Sequence, residues 1–124
     1  MAAIDPTIVR FVGSGDGSCI RVTWTDVTEN DTFTPCNFPE YADKSIQVFG
    51  TFDSASVALH GSNDGGTTYA ALNVPAGTAI AITTAGIKAV LENTEWIKPV
   101  ASSGGATQSL TVAMLLRLGN SMRT

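Results

Sequence analysis

The feature that most constrains this chain is an alternation near its C-terminus, where Leu110, Val112, Met114, Leu116 and Leu118 are set against Thr111, Ala113 and Arg117. A period of two places successive side chains on opposite faces of a pleated strand, whereas a helix would scatter these five apolar groups around its circumference. The same period recurs in residues 45–52, where Ile46, Val48 and Phe52 share one face and Ser45, Gln47 and Thr51 the other, with Phe49 out of step. It appears again where Ile20, Val22 and Trp24 oppose Arg21, Thr23 and Thr25. Further strands are predicted at Thr7 to Val12, Ala55 to His60, Thr68 to Val74, Ala79 to Thr83 and Glu95 to Val100, each bounded by Gly, Asn, Asp, Ser or Pro. Residues 84–91, from Thr84 to Leu91, read as a turn or a short strand, because Gly86 weakens a helix capped by Thr84.

Eight short alternating segments with almost no helical signal predict an all-β, antiparallel β-sandwich of jelly-roll type. At 124 residues the chain has room for one core, so residues 13–124 are assigned to a single sandwich domain. Residues 1–12 are assigned to an extended N-terminal arm and first strand, with Pro6 interrupting local structure ahead of the β-prone Thr7-Ile8-Val9. The polar stretch from Thr25 to Ala42, with Pro35 and Pro39, reads as a long surface loop. Its Phe33, Phe38 and Tyr41 have two open readings: exposed anchors for a partner, or side chains that pack the loop onto the sandwich.

Composition narrows the function classes. Charged residues make up only 15% of the chain and the net charge is −4, with no basic run to neutralise a row of phosphates, which argues against nucleic-acid binding. No apolar stretch approaches the length of a membrane span and no signal-peptide pattern opens the sequence, so a chain made in the cytoplasm, with no membrane partner, is expected. Cys19 and Cys36 are too few and too oddly spaced for a zinc site and read as buried free thiols, a disulfide requiring an oxidising compartment.

Catalytic constellations are hard to assemble. His60 is the single histidine and, by alternation, points away from the face of Val57 and Leu59. No Gly-x-Ser-x-Gly elbow is present, and neither cysteine sits in a nucleophile context. Asp26, Glu29 and Asp31 form an acidic loop whose spacing matches no calcium loop and reads as a solvated turn. No enzyme activity, cofactor or metal is therefore expected.

The sharpest local signature is Ser62-Asn63-Asp64-Gly65-Gly66-Thr67-Thr68-Tyr69. Asn, Asp and Gly supply the positive φ of a tight turn, so Asp64, Gly65 and Gly66 are predicted to form a structural turn between two strands. The string resembles the Asp-box hairpin of sialidases, in which the Asp ties down its own loop. One copy in a chain of this length cannot build a propeller, which excludes sialidase activity.

The run Ala42-Asp43-Lys44-Ser45-Ile46-Gln47-Val48-Phe49-Gly50-Thr51-Phe52, followed by Val57-Ala58-Leu59-His60-Gly61-Ser62-Asn63-Asp64-Gly65, resembles small virion structural proteins of tailed bacteriophages. The likeness continues through Tyr69-Ala70-Ala71-Leu72, Gly77-Thr78-Ala79 and Ser109-Leu110-Thr111-Val112, covering residues 42–118. It implies a head decoration, or cement, protein on the outer surface of a capsid, partnered by the major capsid protein and by itself as a homodimer or homotrimer, without catalytic residues to carry over. The expected contacts are Ile8 and Val9 of the arm with Phe33, Phe38 and Tyr41 of the loop. The alternative is a carbohydrate- or receptor-binding sandwich module of a phage tail or fibre, using the aromatics and the Asp64 turn.

Overall fold

A computed structural model describes residues 3–10 and 19–118. Those residues contain ten strands and no helix: β1 (Ala3–Ile4), β2 (Thr7–Arg10), β3 (Cys19–Val27), β4 (Thr32–Phe33), β5 (Asp43–Thr51), β6 (Ser56–Ser62), β7 (Ala70–Ala71), β8 (Gly86–Ala89), β9 (Trp96–Ser102) and β10 (Ser109–Arg117). The all-β reading holds. A five-stranded antiparallel sheet in the order β2-β3-β10-β5-β8 faces a three-stranded antiparallel sheet in the order β7-β6-β9, and a two-residue parallel pair joins β1 to β4.

The alternation that defines β10 buries Leu110, Val112, Met114 and Leu116 completely, against Ile46 and Val48 of β5 and Ile20, Val22 and Trp24 of β3. Val57 and Leu59 of β6 and Ile97 of β9 close the core from the other sheet. Phe52 lies just past β5 and packs against the core half-buried, while Leu118, one residue past β10, is partly exposed. The β3–β10 register shifts between Leu110 and Val112, and Asp26 opposite adopts φ 54°. This irregularity lets Trp24 and Val27 both point inward although three positions separate them.

Several predicted segments differ. Ala79 to Thr83 makes only isolated bridges, Asn73 with Ala79 and Val57 with Ile82, because it runs beside β6 as a partial fourth strand. The segment predicted at Thr68 to Val74 keeps two strand residues, and the ambiguous stretch around Gly86 is the edge strand β8. Strand β2 ends at Arg10, and the remainder of its predicted length lies outside the described residues.

The N-terminal segment is anchored on its own body. Thr34 donates its backbone N–H to the Ile4 carbonyl at 2.9 Å and its hydroxyl to Asp5 at 2.6 Å, β2 pairs with β3 from Thr7↔Thr23 to Arg10↔Ile20, and Arg10 donates to the Tyr41 hydroxyl at 3.3 Å. The backbone pairing capacity of the β-prone Thr7-Ile8-Val9 is thus met inside the chain along one side of β2. The other side is an edge of the sheet.

Candidate interaction surfaces

The loop aromatics are not exposed anchors. Phe33 and Tyr41 are each only 4% exposed, and Phe38 packs half-buried against the core. Trp24 explains the arrangement: its indole N–H donates to the Thr34 carbonyl at 3.0 Å, and its ring meets Phe33 edge-on at a centroid distance of 5.9 Å. Phe38 and Tyr41 form a second edge-to-face pair at 5.9 Å. Such pairs gain energy from quadrupole complementarity as well as burial, so folding the loop down is favoured over leaving three aromatic rings in water. Cys36 then exchanges both backbone hydrogen bonds with Ile97 of β9, at 2.9 and 3.0 Å.

Cys36 is buried and Cys19 half-buried, both as free thiols. Burial pushes the Cys36 thiol up to about 12, with the nearby Lys44 charge opposing the shift. Lys44 itself is buried at the start of β5, held below its ordinary value by desolvation, and donates to Asn93 Oδ1. Asn93 in turn donates to the Pro39 carbonyl at 2.8 Å, so this polar chain pins the loop beside Tyr41.

The Asp64 turn is built as the sequence predicts, with Gly65 at φ 83° and Gly66 at φ 86°. Asp64 Oδ1 accepts hydrogen bonds from the Ser62 hydroxyl at 2.7 Å and from the backbone N–H groups of Thr67 and Thr68 at 3.1 and 2.9 Å. Those donors hold the carboxyl down at about 2. Gly65 N–H reaches Glu95 and Glu95 N–H reaches Asn63, both at 2.9 Å, tying the turn to the segment that enters β9. A shallow hollow of about 470 Å³ lies alongside, bounded by Gly61, Leu72, Glu92 and Thr94. Glu92 is committed to the Asn73 backbone and side chain at 2.8 and 2.6 Å, so the two carboxylates bordering this hollow serve the fold's own loops.

His60 lies on β6 opposite Lys98 of β9, half-buried, with its basicity lowered by desolvation and then by the Lys98 charge. Lys98 caps the Tyr69 ring at 4.3 Å. Among the described residues no group of three or more His, Cys, Asp or Glu side chains is placed to hold a metal, and no helix is long and apolar enough to cross a membrane.

What remains open for contact is the five-stranded sheet. Strand β2 is exposed along its whole length, with Ile8 43% exposed on the core side of the sheet and Val9 on the outer side. The opposite edge, β8, carries Lys88 on the core side, paired with Ile46. An inward-pointing lysine blunts an edge against further strand pairing. On β2 the charge on that face, Arg10 opposite Ile20, is at the strand end and donates to the Tyr41 hydroxyl, leaving Ile8 and Val9 as the apolar middle of the edge. The outer face displays Phe49, Ile87 and Leu115, three apolar side chains that sequence reasoning did not select. Phe49 out of step in β5, and Leu115 next to the inward Leu116, were the available signals.

No protein-family model matches the chain, and no curated protein matches it. Among solved structures, it is similar to the SPBc2 prophage-derived protein YomS, with a TM-score of 0.53 at 10% identity over 79% of this chain and 93% of that one. A Bacillus endospore appendage pilus protein aligns over 93% of this chain and 91% of its own at 12% identity, with a TM-score of 0.37. At this identity the YomS likeness establishes a shared fold.

Proposed function

We propose that this chain is a non-enzymatic structural protein of a bacteriophage particle, and more finely a capsid decoration protein that binds the outside of the head shell and stabilises it. The observation that carries the reading is β2, an edge strand that exposes Ile8 on one face and Val9 on the other, its one charge, Arg10 at the strand end, being engaged with the Tyr41 hydroxyl. Such an edge accepts an extended segment of a partner by backbone hydrogen bonding, with Ile8 and Val9 supplying side-chain contact. The fold shared with a prophage-derived protein and the phage-like sequence run over residues 42–118 support the same reading. The partner is then the major capsid protein, with no nucleic acid, membrane or cofactor involved. Many symmetric copies on one shell gain from avidity, so a short strand contact suffices for each.

The test is occupancy of purified protein on emptied, expanded heads, comparing wild type with Ile8→Lys. The substitution puts a charge at the middle of the β2 edge in place of its apolar contact, and a loss of about tenfold or more in affinity is expected, at the low end for a central interface residue. Undiminished binding by a folded variant places the contact elsewhere and refutes the β2 assignment.

A further inference from the structure

The outer face of the five-stranded sheet is nearly uncharged. Register places two complete rows across it: Thr7, Thr23, Ala113, Gln47 and Ile87 in one, and Val9, Arg21, Leu115, Ser45 and Ala89 in the next, with Thr111 beside Phe49 beyond them. Ten positions on the two rows carry one charge, that of Arg21. The Arg117–Asp43 ion pair, at 2.9 Å, closes one end of the face. The solvent side of an antiparallel sheet is ordinarily polar, whereas depletion of charge marks the centre of a protein interface.

The relief of this face is also specific. Ile87 is 63% exposed, Phe49 42% and Leu115 41%, so all three project. Between Ile87 and Leu115 lies a hollow of about 260 Å³ floored by Ala113 and Met114 and rimmed by Arg21, Ser45 and Gln47. A surface with apolar knobs next to an apolar hollow is self-complementary: turned about a twofold axis, the knob of one copy enters the hollow of the other, which is what an isologous contact requires.

Size agrees. Three strands of nine residues and two of four, at about 3.3 Å per residue and about 4.8 Å between strands, present roughly 560 Å² in projection. Two such faces together bury roughly 1,100 Å² before side-chain relief is added, past the ~1,000 Å² expected of a specific interface.

We infer that this chain forms a twofold dimer through the outer face of the β2-β3-β10-β5-β8 sheet, with Ile87 and Leu115 of each copy seated against the Ala113 hollow of the other. The backbone edge of β2 and Ile8, which lies on its other face, stay available to a different partner while Val9 belongs to the dimer face, so the dimer stands independently of where on a particle the chain acts.

Sedimentation equilibrium of the full chain over a wide concentration range tests this. The wild type is expected at twice 12.9 kDa. Ala113→Arg, which fills the hollow with charge, and Ile87→Asp, which removes an exposed knob, are each expected to weaken the dimer at least thirtyfold while far-ultraviolet circular dichroism stays unchanged. Lys88→Gln, on the other side of β8, is expected to leave it intact. A monomeric or trimeric wild type overturns the inference, as does a dimer indifferent to both face substitutions or one dissociated equally by Lys88→Gln. If one face variant fails to fold, the other decides.

Discussion

The Asp64 carboxylate accepts the backbone N–H of Thr68 at 2.9 Å, across the turn that joins β6 to the segment leading into β7. With Ser62 and Thr67 as further donors, the ionised carboxylate holds the loop closed, and its acidity rises from an ordinary value of 3.8 to a value of about 2. A depressed carboxyl contributes stability above the unfolded value, and that contribution is lost as pH falls from 3.8 toward about 2. Asp64→Asn is therefore expected to lower the melting temperature at neutral pH and to flatten its decline on acidification below pH 4. Equal acid slopes for the two proteins, followed by thermal melts, would sink this assignment.

Backbone geometry separates three glycines. Gly65 at φ 83° has open space where a Cβ would sit, so Gly65→Val costs about 1–2 kcal/mol from the left-handed backbone alone. At Gly66, φ 86°, an added Cβ would also press on the Tyr69 hydroxyl at 3.3 Å. Gly50, at φ 120° in β5, is stricter, because a Cβ there would run into the Ser109 carbonyl of β10. Gly50→Ala is expected to cost more than Gly65→Ala in urea denaturation, by about 1 kcal/mol or more.

Much of this fold was legible because the strongest signal, the period of two, is also what decides which face of a strand is buried. Leu110, Val112, Met114 and Leu116 fall on the core side as read, and the Asp64 turn follows from local residue chemistry. The loop aromatics were not legible, since Phe33 and Tyr41 are buried by contacts with Trp24 and Phe38, and those contacts depend on how the loop folds back. The outer sheet face was missed for a similar reason. Ile87, Gln47 and Ala113 are scattered in sequence, and only the registers of β8, β5 and β10 make them neighbours.

Burial of Phe33 makes it a stability residue. Phe33→Ala is expected to cost about 3–5 kcal/mol, as for other large-to-small core substitutions, measured by chemical denaturation. A loss below about 1 kcal/mol, the range of a surface change, would contradict the packed loop.

The two thiols should differ in reactivity. With its acidity suppressed to about 12 and its side chain buried, Cys36 is expected to resist a thiol reagent at pH 8 in the native state, while half-buried Cys19 reacts. Mass spectrometry of the labelled protein assigns the sites, and both should label after unfolding. Preferential native labelling of Cys36 would contradict the closed loop.

Direct imaging bears most closely on the attachment role: cryo-electron microscopy of the particle that contains this chain. The account predicts β-sandwich density in many symmetric copies on the outer surface of the head shell, with β2 against the major capsid protein. Density for the chain in the tail, or on the inside of the shell, would contradict the decoration role.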